Sequence, residues 1–202
     1  MTMEKTKKEI RLAELRIKSD LTANEGNDMI VEGYAVIFNE PTVIFTDSAG
    51  IEYYEVIDKH ALDNCDMSDV PFKYNHSDDV MVMARTRNKT LQLSVDDKGL
   101  FIRANLANTT TGNDLYQLIK RGDIDKMSFA FVVAPEGDNY DVKTRTRIIT
   151  AIEKLFDVSA VDLPAYDTTS ISARGYFESQ EEIRKQLEKE ALKRKLLLKT
   201  YL

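Results

Sequence analysis

Short runs of β-branched and aromatic residues, broken at close intervals by Gly, Pro, Asn and Asp, fill most of the chain between residues 29 and 161 and read as strands. The first, 29–38, contains Gly33, which points to a bulge or a close backbone approach, and Asn39-Glu40-Pro41 ends it. A strand at 51–57 leads into a short helix at 58–65 with Asp58 as its N-cap. The strand at 70–74 is followed by a polar turn, Asn75-His76-Ser77-Asp78-Asp79, and 80–84 resumes extended structure. Segments 90–95 and 100–106 alternate and pair through Asp96-Asp97-Lys98-Gly99, where Gly99 supplies the positive φ of a hairpin loop. Residues 109–111 cap a helix over 113–121 whose Leu115, Leu118 and Ile119 share a face, and Gly122 suits the left-handed position at its end. Strands return at 126–134 and 147–161, separated by an acidic hairpin loop at 135–141.

The two ends differ from this middle. Residues 10–19 read as a strand, although Ile10, Leu12, Leu15 and Ile17 fit neither period. In the tail, Ser179-Gln180-Glu181-Glu182 fits a capping box, and Ile183, Leu187, Ala191 and Leu198 fall near one helical stripe among charges. Such a stripe needs a surface to cover: its own domain, a second copy or a partner. The whole pattern predicts an α+β fold, a mostly antiparallel β-barrel core, closed or half-closed, with a few flanking helices and a C-terminal helical tail. The expected division is a charged leader and strand at 1–20, one globular domain at 21–177, and an amphipathic helical tail at 178–202.

Charge narrows the function. Of the net −6, residues 1–20 contribute +2 and residues 178–202 another +2, which leaves −10 for the middle. An acidic core offers no footprint for a phosphate backbone, so nucleic-acid binding by that domain is not expected. The single Cys65 excludes an internal disulfide and fits a reducing compartment. No apolar run reaches membrane-span length and the N-terminus lacks a signal-peptide stretch, so a cytosolic protein is expected.

Three polar residues stand out in strand-like surroundings. Ser128 lies between Met127 and Phe129; by position alone it reads as packed filler. His76 lies at a polar strand end, where ordinary surface histidines are also found. Asp157 interrupts the apolar stretch 152–161, on the face that alternation assigns to Leu155 and Ser159. If that face is inward the carboxylate needs a partner, which His76, Arg85 or Arg87 can supply. A hydroxyl, an imidazole and a carboxylate are the parts of a nucleophilic relay: the imidazole takes the hydroxyl proton when its other nitrogen is held by an acceptor.

Other chemistries fit less well. Cys65 is crowded by Asp63, Asp66 and Asp69, which disfavours the thiolate. His60, His76, Asp78 and Asp79 match no compact metal-ligand spacing, so no metal is expected. Lys126, two residues before Ser128, leaves a Ser–Lys dyad conceivable. The eight glycines are dispersed among turns and form no phosphate loop, so no nucleotide cofactor is expected.

An ordered series of short motifs carries more than any one of them. It runs Gly33-Tyr34-Ala35-Val36-Ile37-Phe38-Asn39, Glu55-Val56-Ile57, Asn75-His76, Asp96-Asp97-Lys98-Gly99-Leu100, Thr109 with Gly112 and Asp114, and Gly122-Asp123-Ile124. Ser128-Phe129-Ala130-Phe131 and Asp157-Val158-Ser159-Ala160-Val161-Asp162-Leu163-Pro164-Ala165-Tyr166 complete it. Over about residues 29–174 this series resembles the prohead (procapsid maturation) serine proteases of tailed bacteriophages and prophages, whose fold resembles herpesvirus assemblin. The resemblance implies that Ser128 is the nucleophile, His76 the general base and Asp157 the residue that orients His76. Three positions depart from the family pattern: Asp157 stands where Glu is more usual, and Ala130 and Ala84 each stand where Gly is usual.

The resemblance thus implies a serine endopeptidase of Ser-His-Asp type. It would cleave scaffold or capsid-protein segments, and itself, in the host bacterial cytoplasm inside the assembling prohead. Its partners would be the major capsid protein and its scaffold segment, with a homodimer suggested by the assemblin analogy and oxyanion donors near Ala84-Arg85 by fold analogy. The alternative is a non-catalytic capsid-assembly or scaffold module on a degenerate protease fold. The basic tail residues Lys193-Arg194-Lys195 read either as a self-cleavage target or encapsidation handle, or as a solvated helix packed on the domain.

Overall fold

Met127, Phe129 and Phe131 point from one strand into the main apolar core, while Ser128 and Ala130 alternate to its other face. This alternation organises the molecule, for which a computed structural model describes residues 8–14, 29–162 and 166–200. Its elements begin with strands β1 (Glu9–Glu14), β2 (Ile30–Ile37), β3 (Thr42–Thr46), β4 (Glu52–Ile57), β5 (Pro71–Tyr74), β6 (Ala84–Arg85), β7 (Leu91–Val95) and β8 (Gly99–Asn105). Helix α1 (Thr110–Arg121) follows, then β9 (Lys126–Val133), β10 (Asp138–Asp141), β11 (Thr146–Ile149), β12 (Ile152–Val161) and helix α2 (Tyr166–Thr200).

The strands form three sheets, ordered β1-β9-β12-β5-β6, β10-β11-β4-β3 and β2-β8-β7. The α+β class is therefore as expected, and pairing is mostly antiparallel, but β11 with β4 and β12 with β5 are parallel. The closed barrel is not formed among the described residues. β1 lies beside β2, and β6 beside β7, without a shared ladder; β6, two residues long, pairs with β5 alone. Between the first and third sheets sit Phe72, Leu100, Ile102, Phe131 and Leu155, all fully buried. Burial of each such side chain stabilises the fold by about 1.5–3 kcal/mol.

Several local expectations change for identifiable reasons. Residues 58–65 make successive turns instead of a helix: Ala61 N donates to Asp58 O, Asp63 N to His60 O and Cys65 N to Leu62 O. So short a segment cannot offset helix nucleation, and Ile152 N draws the Ala61 carbonyl into a tertiary bond. Strand character over 80–84 is confined to Ala84, where pairing with Phe72 begins; Met81, before it, is 66% exposed. The acidic loop 135–141 contributes its own strand, β10, paired with β11. Gly33 pairs regularly with Ile102, and the bulge of β2 lies just beyond it, between Tyr34 and Val36. Of the strand expected over 10–19, residues 15–19 lie outside the described residues.

Gly99 is required for a reason other than its expected positive φ, which it does not adopt. A Cβ there would lie 1.9 Å from the Val36 carbonyl oxygen, on backbone that cannot swing aside. Gly99→Ala is expected to destabilise the domain by about 2 kcal/mol or more, read as a lower denaturation midpoint. By contrast Gly122 does take the left-handed φ, +86°, after α1, and the Thr109 hydroxyl accepts from Gly112 N at the other end.

Helix α2 docks through Phe177, which is buried against Tyr53 and Tyr140. Because α2 starts at Tyr166, Ser179 is an interior residue that bonds back to the Tyr176 carbonyl and not an N-cap. Ile183, Leu187 and Ala191 beyond it are exposed, so these members of the stripe cover no part of the described domain. The side chain of Leu198 lies outside the described residues. No helix of the described residues is long and apolar enough to cross a membrane.

Candidate active site

Strand register places the three candidate residues. In the β9–β12 ladder Ser159 faces Ser128 and Asp157 faces Ala130. Between Leu155 and Asp157 the register shifts by a bulge, which re-aims side chains. Leu155 therefore enters the core with Val158 and Ala160, while Asp157 and Ser159 turn to the opposite face. The expected common face of Leu155, Asp157 and Ser159 holds only for the last two, since alternation does not survive a bulge.

The third side chain arrives from β5, which runs parallel to β12 with Tyr74 beside Ala160. The chain then turns back through two left-handed residues, Asn75 at φ +51° and His76 at φ +55°. Asn tolerates this region better than most, and here its amide donates to Asp162 Oδ1 at 2.9 Å. Tyr74 Oη donates to Asp162 Oδ2 at 2.6 Å, and Ser77 N closes the turn on the Tyr74 carbonyl. Together these bonds swing the His76 ring over β12 and β9. Asn75→Ala should leave the fold intact but lower turnover about tenfold, since a displaced imidazole loses alignment; unchanged kcat would exclude this positioning role.

The three candidates meet in one line. His76 Nε2 lies 2.6 Å from Ser128 Oγ, and His76 Nδ1 lies 2.5 Å from Asp157 Oδ1. The shorter carboxylate thus reaches the imidazole directly, without a bridging water. Asp157 also accepts from Ser159 Oγ at 3.0 Å and pairs with Lys8 Nζ at 3.1 Å. Burial by itself would raise the Asp157 carboxyl, but the hydrogen bond and charge of His76, with Lys8, outweigh it and hold the group below its ordinary value. Arg85 and Arg87, the other partners open to Asp157, both pair with Asp69.

Ser128 is fully buried, with no exposed surface, and its hydroxyl donates to the Arg11 carbonyl oxygen at 2.7 Å. Ser159, Lys8 and Arg11 were not singled out from the sequence. Ser159 had a signal, its alternation with Asp157; Lys8 and Arg11 had none, being 149 and 117 residues from their partners.

The remaining candidates lie elsewhere. Burial, offset in part by a backbone bond from Leu155 and reinforced by Asp66, pushes the Cys65 thiol up to about 11, which disfavours a thiolate. His60 pairs with Asp63 at the surface, Asp78 pairs with Lys73, and no group of three potential metal ligands occurs among the described residues. Lys126 makes no hydrogen bond to Ser128 among the described residues. The Arg85 amide donates to Thr90 Oγ1, so that backbone donor is already engaged.

Comparison with known proteins adds three findings. The sequence profile of the caudovirus prohead serine protease family matches residues 14–186. Among solved structures, the capsid assembly protease gp21 of bacteriophage T4 is similar at 11% identity and a TM-score of 0.42, over 69% of this chain and 100% of that one. No protein of curated function matches the chain.

Proposed function

Because the chain belongs to the caudovirus prohead serine protease family, we propose that it is a Ser-His-Asp endopeptidase that cleaves capsid-protein and scaffold segments during maturation of the phage head. The observation that carries this reading is the line of contacts Ser128 Oγ, His76 Nε2, His76 Nδ1 and Asp157 Oδ1. In the first step Ser128 Oγ bonds to the peptide carbonyl carbon while its proton passes to His76 Nε2. Asp157 keeps Nδ1–H in place and stabilises the imidazolium. His76 then gives that proton to the leaving nitrogen, the C–N bond breaks, and an acyl group remains on Ser128. Water, deprotonated by His76, repeats the sequence and releases the acid.

The proposal extends to the partners, the major capsid protein and its scaffold segment, to action inside the assembling head, and to a homodimer, which sedimentation at two protein concentrations tests. It divides the chain into a leader at 1–20, a protease domain at 21–177 and a tail at 178–202.

One observation favours a second reading, a non-catalytic assembly module: Ser128 has no exposed surface. A fluorophosphonate probe separates the two. Labelling at Ser128 that is lost in His76→Ala supports the protease. No labelling in free protein or in protein assembled with capsid subunits supports the module.

A further inference from the structure

We propose that β1 occupies the place of a peptide substrate, added antiparallel to the edge of β9, and that the enzyme cleaves after a basic side chain received by Glu55. This rests on the Ser128–His76–Asp157 reading above.

β9 has β12, with Asp157 and Ser159, on one side and β1 on the other, and β1 is the edge of its sheet. The β1–β9 ladder is regular, with Arg11 opposite Phe129 and Leu12 opposite Ser128. Peptides recognised by strand addition bind in this manner, through main-chain bonds with pockets for alternate side chains.

The atom attacked in a scissile peptide is its carbonyl carbon; here Ser128 Oγ is hydrogen-bonded at 2.7 Å to the Arg11 carbonyl oxygen, which sets this peptide group beside the nucleophile without presenting its carbon for attack. Ser128 Oγ lies within hydrogen-bond distance of both that oxygen and His76 Nε2, at 2.7 and 2.6 Å, so the Arg11 carbonyl competes with the imidazole for the one hydroxyl proton. Lys8, on the same segment, meanwhile holds Asp157. The occupant therefore rests on the relay without engaging it, and another peptide reaches the fully buried Ser128 only when β1 yields.

The Arg11 guanidinium is buried, with Nε 2.5 Å from Glu55 Oε1 and Nη2 2.8 Å from Glu55 Oε2, a two-point fork suited to arginine. It lies over the Phe131 ring at 5.7 Å. Without β1, the charged groups left around this space are Glu55, Asp138 and Arg147, two negative and one positive, a net −1. One cationic side chain balances that charge, and a neutral or acidic one leaves it buried and uncompensated.

The test uses the full-length chain and quenched-fluorescence peptides carrying Glu-Ile-Arg-Leu-Ala-Glu, with Gln or Glu replacing the Arg in two further versions. Cleavage is expected at the Arg–Leu bond, with kcat/KM at least about 100-fold lower for the Glu version, because a site built around a buried charge rejects the wrong partner strongly. Arg11→Gln, which leaves Glu55 its contact with Arg147, is expected to raise kcat/KM on the Arg peptide about tenfold by weakening the internal competitor. Comparable rates on all three peptides, cleavage at another bond, or an unchanged rate in Arg11→Gln would overturn the proposal. So would fluorophosphonate labelling of Ser128 in proteins that cleave none of the peptides. If neither protein labels at Ser128, the relay reading fails and this inference with it. Hydrogen exchange of the wild type is independent of any variant. A saturating peptide aldehyde ending in Arg should speed exchange of the amides of residues 9–14, and unchanged protection overturns the occupancy.

Discussion

Asp157→Asn is expected to slow processing of a co-expressed capsid protein by about 10⁴-fold with the fold retained. In the proposed relay the carboxylate accepts the Nδ1 proton of His76, 2.5 Å away, so that Nε2 is free to take the proton of Ser128. An amide in its place donates to Nδ1, moves the ring proton to Nε2, and leaves the nucleophile without a base. The variant also loses the ion pair with Lys8, but Ser159 Oγ still has an acceptor, so the site should not collapse. Asp157→Glu, the side chain more usual in the family, should retain the tautomer and lose roughly tenfold through misplacement alone. Mass spectrometry of the capsid protein at timed intervals reads both. A wild-type rate in Asp157→Asn would remove Asp157 from the mechanism.

Arg147→Ala should have the largest effect on stability. The guanidinium is buried and bonds Glu9 at 2.6 and 3.0 Å, Glu55 at 3.3 Å and Asp138 at 2.5 Å, with the Tyr176 ring 4.3 Å away. Burial works against its charge, yet these carboxylates hold it above the ordinary arginine value. Removing it leaves buried carboxylates short of a cation, a defect worth about 3–5 kcal/mol. For a chain of this size that is a fall in Tm on the order of 10 °C. The effect should depend on pH in a defined sense. Burial raises the Glu9 carboxyl, but Arg147 and Arg11 overcome this and depress it in the folded state. A depressed carboxyl contributes stability above its unfolded value, near 4.3, and the contribution is lost as pH falls through the lower folded value. The gap between wild type and Arg147→Ala should therefore narrow below about pH 4. A gap that widens there would mean that Arg147 acts through packing on Tyr176, not charge.

How much of this was legible in the residues varies with the range of the interaction. The α1 caps Thr109 and Gly122 are local chemistry and came out as read. The helix expected at 58–65 did not, because the bond from Ile152 N to the Ala61 carbonyl comes from a strand far along the chain. Val80 and Ala84 looked alike as strand formers, yet only the latter finds a partner, Phe72. For the site, Ser128, His76 and Asp157 could be named from their motifs, but nothing local said that they touch.

The sequence by itself determined the residue types and the strand periodicity: a hydroxyl on β9, an imidazole after β5, a carboxylate on β12, and turn residues that end each strand. These are properties of near neighbours, set by backbone sterics and side-chain alternation. The tertiary structure decided what those groups face. A bulge turned Asp157 away from the core, two left-handed residues swung His76 back, and a strand from the far N-terminal end laid the Arg11 carbonyl on Ser128. Such placements depend on register and on contacts between residues more than fifty positions apart, to which neither period nor composition is sensitive.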